Sequence, residues 1–102
     1  MKRVRYDPEA KCFEYSRWFG RQKIPAESLS QITVRSMATL LDEIGFEAVA
    51  NGQGIWMKDI HDNFSQACVD LELEVRLGSD WYQRAEAGEV LTWIEDSENC
   101  VR

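Results

Sequence analysis

One histidine, three cysteines and eighteen carboxylates are the groups in these 102 residues that could move protons, attack carbonyls or hold metals. His61 stands in "DIHDNFS", beside Asp59 and Asp62 and four residues before Ser65. His, Asp and Ser make up a nucleophilic triad, but triads are assembled from distant segments around a positioned nucleophile. No nucleophile-elbow pattern surrounds Ser65. Cys68 follows His61 by seven residues, about 10 Å along a helix that rises about 1.5 Å per residue, which is beyond contact. No catalytic residue is expected. Cys12, Cys68 and Cys100 are far apart, odd in number and without a CxxC spacing. With one histidine and cysteines this far apart, Zn²⁺ cannot easily collect four soft or borderline ligands, so they read as reduced thiols in or near the core. The glycines of "NGQG" form neither a dinucleotide nor a P-loop pattern, and no helix is expected directly after them. No DxDxDG calcium loop occurs. No cofactor and no metal are expected.

Charge is more informative. Net charge is −6, and residues 1–35 hold eight Lys/Arg against four Asp/Glu, whereas residues 36–102 hold four against fourteen. An acidic surface of this kind repels nucleic acid and attracts basic protein surfaces. The candidate partner-binding carboxylates are Asp70, Glu72, Glu74, Glu86 and Glu89, with Trp56 and Trp81 as aromatic anchors. The basic third offers a different set. In "RWFGRQK", Arg17, Arg21 and Lys23 interleave with Trp18 and Phe19. Basic and aromatic side chains together grip nucleic acid through phosphates and stacking. Arg17, Trp18, Arg21, Lys23 and Arg35 are therefore the alternative nucleic-acid contacts.

These residues must be held by a small set of elements. Two β-prone runs, roughly 2–6 and 11–18, flank "DPEA", where Pro8 suits the second position of a type I turn, so a β-hairpin is expected. Leu29, Ile32, Met37, Leu40, Leu41 and Ile44 recur at helical spacing, Ser28 and Gln31 have the form of a capping box, and Gly45 can end a helix. A helix is expected over about 27–44. Asn51-Gly52 suits a type I′ turn, which would pair Ala48 with Ile55 and Phe46 with Met57 on an inner face and leave Glu47 and Trp56 on the outer one. Beyond it, residues 62–77 carry a helical stripe of Phe64, Ala67, Cys68, Leu71 and Val75. Residues 71–77, "LELEVRL", also alternate as a strand would; Leu and Glu favour helix. Ser79 can cap "DWYQRAEA", and "EVLTWIED" leans to helix. The expected fold is α+β in a single small domain: an N-terminal β-hairpin, a helix, a second β-hairpin, then a mainly helical C-terminal part.

The run "SLSQITVRSMATLLDEIGFEAVANGQGIWMK", residues 28–58, resembles the recognition helix and wing of winged helix-turn-helix regulators. The resemblance implies that Thr33-Val34 open a recognition helix, that Met37, Leu40, Leu41 and Ile44 form its core face, and that Asn51-Gly52 turn the wing. Arg35, Ser36 and Thr39 would then approach DNA. In size and charge the chain is similar to small phage and mobile-element inhibitors of nucleic-acid machinery, including anti-CRISPR proteins.

The leading expectation is a non-enzymatic acidic binding protein that inhibits or regulates by occupying a basic surface on a nucleic-acid-processing partner. Its carboxylates would substitute for phosphates. The alternative is a winged-helix-like DNA-binding regulator. Four Trp would also serve a homodimer face. No long apolar run and no signal-peptide pattern are present, so a cytoplasmic protein without a membrane span is expected.

Overall fold

Alternation of apolar and polar residues fixes most of the architecture. A computed structural model describes residues 2–17, 20–37, 43–59 and 63–95, with Lys2 and Arg17 described by their backbone alone. The elements are β1 (Lys2–Arg3), β2 (Arg5–Asp7), β3 (Cys12–Arg17) and β4 (Gly20–Pro25), a 3₁₀ turn (Ala26–Ser28), then β5 (Gln31–Ser36), β6 (Ile44–Ala50) and β7 (Gln53–Lys58). Three short helices follow, α1 (Phe64–Asp70), α2 (Leu73–Leu77) and α3 (Trp81–Glu86), and the last element is β8 (Leu91–Ile94).

The strands form a five-stranded sheet in the order β1-β7-β6-β5-β8 and a three-stranded sheet in the order β2-β3-β4. All pairings are antiparallel except β1 with β7. β1 and β2 are successive parts of one extended segment. It leaves the first sheet at Val4, whose N–H donates to the Trp56 carbonyl (3.2 Å), and enters the second. Val4 and Tyr6 point inward and Arg3 and Arg5 outward, as period-two alternation requires.

Both sheets and the helices meet in one buried apolar cluster. A run of rings ties them together. Centroid distances are 4.9 Å for Tyr6–Phe13, 5.9 Å for Phe13–Phe46 and 5.6 Å for Phe46–Phe64. Each such pair is worth roughly 0.5–1.5 kcal/mol beyond the area it buries. No helix among the described residues is long and apolar enough to cross a membrane.

Both expected hairpins are present. Tyr6 faces Phe13 across the first, and Asp7 accepts the Glu9 and Ala10 N–H groups in its turn. In the second, Ala48 pairs with Ile55, Phe46 with Met57 and Glu47 with Trp56. Asn51 (φ 51°) and Gly52 (φ 80°) both occupy the positive-φ region that a type I′ turn demands.

The helix expected over 27–44 is not there. Residues 26–28 make a 3₁₀ turn, and Gln31–Ser36 is a central strand between β6 and β8. Ile32 and Val34 are fully buried on one face while Thr33 and Arg35 lie on the other. This is the geometry that β-branched residues prefer. Thr33-Val34 therefore do not open a recognition helix, and Arg35 and Ser36 are strand residues. Thr39, Leu40 and Leu41 lie outside the described residues.

The mainly helical C-terminal part is also corrected. "LTWI" is strand β8, which pairs with β5 in the register Val34↔Leu91, Thr33↔Thr92, Ile32↔Trp93. Strand outweighs helix over the molecule. The helix expected over 62–77 is divided in two, because Glu72 adopts a left-handed backbone (φ 54°) between α1 and α2. α2 then packs against β8, where the Arg76 guanidinium lies 4.2 Å from the Trp93 ring centroid.

Candidate functional site: an acid-rimmed apolar groove

The break at Glu72 builds the most distinctive surface among the described residues. In α1, Phe64, Ala67 and Cys68 face the core at helical spacing. Val69 is left on the outside and is 68% exposed. A continuous helix would have placed Val75 on the same inner stripe as Leu71. The left-handed residue turns α2 so that Leu73 enters the core instead and Val75 stands 80% exposed. Cys68, Val69, Leu73, Val75 and half-buried Trp81 line a cavity of about 330 Å³ whose rim carries Glu72 and Glu74. Trp81 is held edge-on against Tyr82, with ring centroids 5.5 Å apart.

Neither Glu72 nor Glu74 makes an ion pair or side-chain hydrogen bond with a described residue. Asp70, Glu89 and Asp59, nearby in the same layer, are committed. Asp70 accepts the Tyr6 hydroxyl (2.5 Å) and the Gln66 amide (3.0 Å). The Tyr6 bond, ahead of the Gln66 bond, holds the Asp70 carboxyl below its ordinary range. Burial, reinforced by Asp70, pushes the Tyr6 phenol up. Glu89 pairs with Arg84 (3.0 Å) and raises its pKa. Asp59 accepts the Tyr82 hydroxyl (3.1 Å), and burial followed by this bond raises the Tyr82 pKa. Burial, with Asp59 second, pushes the Cys68 thiol up to about 12. Cys68 thus favours the protonated thiol as a wall of the groove.

Of the expected partner-binding residues, the structure gathers Glu72, Glu74 and Trp81. Glu86 is exposed at the end of α3 and does not line the groove, Glu89 is occupied by Arg84, and Asp70 is occupied by Tyr6. Trp56 lies on the outer face of β7, away from the helices, with Lys58 Nζ 5.8 Å from its ring centroid. Of the basic set, Arg35 donates through Nε to Glu47 (2.8 Å), Arg21 reaches Glu14 (3.4 Å), and Lys23 stands opposite Glu14 on β4. Arg17 ends β3, opposite Gly20. Trp18, Phe19, His61 and Asp62 lie outside the described residues. Sequence reasoning missed Val69 and Val75, because a helical stripe counts Val75 as core unless the chain is seen to break at Glu72.

Asp7, Cys12 and Glu14 bring three ligand-type atoms within 4.8 Å of one another. Their chemistry does not suit a soft metal. Burial raises the Cys12 pKa, whereas a metal ligand must be thiolate. Glu14 already faces Arg5 and Arg21.

No family model, no curated protein and no solved structure matches the chain at a significant level.

Proposed function

We propose that this is a non-enzymatic, cytoplasmic binding protein whose groove takes a basic, apolar-anchored segment of a partner protein. The observation that carries the reading is the coincidence, in one cavity, of exposed Val69 and Val75 with the carboxylates of Glu72 and Glu74, which have no partner among the described residues. Exposed apolar side chains rimmed by polar ones mark interaction surfaces. Val69, Val75 and Trp81 would supply the desolvated centre, and the glutamates would choose a lysine- or arginine-bearing partner and speed its approach. If the partner's basic segment is one that otherwise holds nucleic acid, Glu72 and Glu74 compete with phosphates, and the protein acts as an inhibitor or regulator.

The test is capture from a lysate of the source cell, with wild type and variants compared in parallel. A partner with a basic contact segment should be captured by wild type and lost with Glu72→Lys/Glu74→Lys and with Val75→Asp. It should be retained by Glu86→Lys, which reverses one charge outside the groove. Equal capture by all variants, or an acidic contact segment, overturns the reading.

A further inference from the structure

The face turned away from the helices carries a second, chemically opposite cavity. It shares no residue with the groove. Its residues come from three strand segments in register. Arg5 stands opposite Glu14, Glu14 opposite Lys23, and Ser16 opposite Arg21. Because Tyr6 and Phe13 face the core, Arg5, Glu14 and Arg21 face outward. β1 adds Arg3 one strand period before Arg5, with Val4 pinned between them by its bond to the Trp56 carbonyl. The result is a cavity of about 290 Å³ lined by Arg3, Arg5, Glu14, Ser16 and Arg21.

The charge here runs against the net charge of the molecule. Three guanidinium groups line the cavity against one carboxylate. Glu14, at 7% side-chain exposure, is the fixed centre, with Arg21 Nη1 3.4 Å and Arg5 Nη2 3.9 Å from its Oε1. Arg3 has no ion pair or hydrogen bond with any described residue. Two positive charges are left over. Lys23, opposite Glu14 on the neighbouring strand, and Asp7, whose carboxylate lies within 4.8 Å of the Glu14 carboxylate, offset one another beside the cavity and leave that excess unchanged.

We propose that this cavity binds a phosphate monoester dianion, gripped by Arg3, Arg5 and Arg21, with Glu14 spacing the latter two. The planar guanidinium fork matches phosphate oxygens two at a time, and Ser16 supplies a further hydroxyl donor. The excess of two positive charges matches a monoester, which carries about −1.5 to −2 at neutral pH. The volume sits at the lower limit of small-molecule sites, about 300 Å³, and so accommodates a phosphate with a small remainder.

Inorganic phosphate, a phosphorylated small molecule and the 5′-phosphate end of a nucleic acid share this chemistry. The test titrates the full chain with inorganic phosphate, a nucleoside 5′-monophosphate, and a single-stranded oligonucleotide with and without its 5′-phosphate. Calorimetry gives affinity and arginine Nε–H resonances report the site. Phosphate monoesters should bind and shift the Arg3, Arg5 and Arg21 signals. Arg3→Ala should weaken binding about tenfold without changing the melting temperature, since its side chain is exposed and makes no ion pair with a described residue; Arg21→Ala should weaken binding about as much but lower the melting temperature, because buried Glu14 loses its nearer partner. Glu14→Gln, which keeps the acceptor but removes the repelling charge, should tighten it several-fold. Affinity should rise several-fold from pH 5.5 to 7.5 as the ligand's second proton leaves, at about pH 6. The arm that binds best identifies the source. Three results overturn the proposal: no shift at 10 mM phosphate, shifts reproduced by chloride at equal ionic strength, or equal binding of the oligonucleotide lacking a terminal phosphate.

Discussion

Tyr6 shows how much one buried polar group decides. Its ring is fully buried, yet its hydroxyl reaches Asp70 at the end of α1, and the Asn63 amide donates to its carbonyl (2.8 Å). β2 is thereby tied to the start and the end of one helix. Tyr6→Phe keeps the ring and removes the hydroxyl. A hydrogen bond to a charged group contributes about 1.5–3 kcal/mol, but half-exposed Asp70 regains water, so a loss of about 1–2 kcal/mol in denaturant unfolding at pH 7 is expected. The pH dependence carries a sign at each end. The folded Asp70 pKa is lowered, so its contribution is present above the unfolded value near 3.9 and fades as pH falls through the folded one. The folded Tyr6 pKa is raised, so its contribution is complete below about pH 10 and fades as pH rises above it. The gap between wild type and Tyr6→Phe should therefore narrow as pH falls below about 3.9 and as it rises above about 10; a gap constant from pH 2 to 11 would contradict the pairing. Gly45 is a second single-residue constraint. A Cβ there would stand 2.6 Å from both the Met37 sulfur and the Met57 carbonyl oxygen. Met37 can swing aside but the β7 backbone cannot, so Gly45→Ala should cost about 1–3 kcal/mol, read as a lower melting temperature.

At the scale of elements, β8 closes the side of β5 that would otherwise be a sheet edge, and α2 is fastened to it by Arg76 over Trp93. A double-mutant cycle of Arg76→Ala and Trp93→Ala should give a coupling of about 0.5–2 kcal/mol in thermal or denaturant unfolding. Zero coupling would mean that α2 and β8 do not meet. This contact also shows what the sequence could and could not reveal. The β6–β7 hairpin was legible because register follows from local facts: Asn51-Gly52 sets the turn, and Phe46, Ala48, Ile55 and Met57 then fall on one face. Gln31–Ser36 misled, because Leu29, Ile32 and Met37 match a helical period while Ile32 and Val34 match a strand period. Only the neighbours on both sides, β6 and β8, decide between them. β8 itself pairs with a segment about sixty residues earlier, a contact that no local pattern encodes. The groove was half legible: Glu72, Glu74 and Trp81 stood out by type, but Val69 and Val75 became surface only when Glu72 took a left-handed backbone. The arginine cavity was less so: Arg21 stood out among the basic and aromatic residues, but Arg3, Arg5 and Glu14 were not singled out.

At the scale of the molecule, the sheets separate two fields of opposite sign, with Glu72 and Glu74 on the helical side and Arg3, Arg5 and Arg21 on the outer side. The shortest principal extent of the Cα trace is 23 Å; a separation of about 20 Å is taken for charges on the two faces. Salt decides whether they feel one another. The Debye length is about 8 Å at 0.15 M ionic strength and about 30 Å at 0.01 M. Replacing both glutamates by lysine changes the helical face by four unit charges, all in the direction that attracts a dianion. With water's dielectric constant, that change is worth about 1.7 kcal/mol at 20 Å before screening. Screening leaves about 0.8 kcal/mol at 0.01 M and about 0.1 kcal/mol at 0.15 M. Glu72→Lys/Glu74→Lys should therefore tighten phosphate binding about fourfold at low salt and leave it unchanged, within about 1.5-fold, at physiological salt. Protein capture through the groove should be lost at both. Calorimetric titration of phosphate into wild type and the double variant at the two ionic strengths checks this. A large effect on phosphate affinity at 0.15 M would mean that the two faces are coupled through the fold rather than through space, and would end the view of them as independent sites.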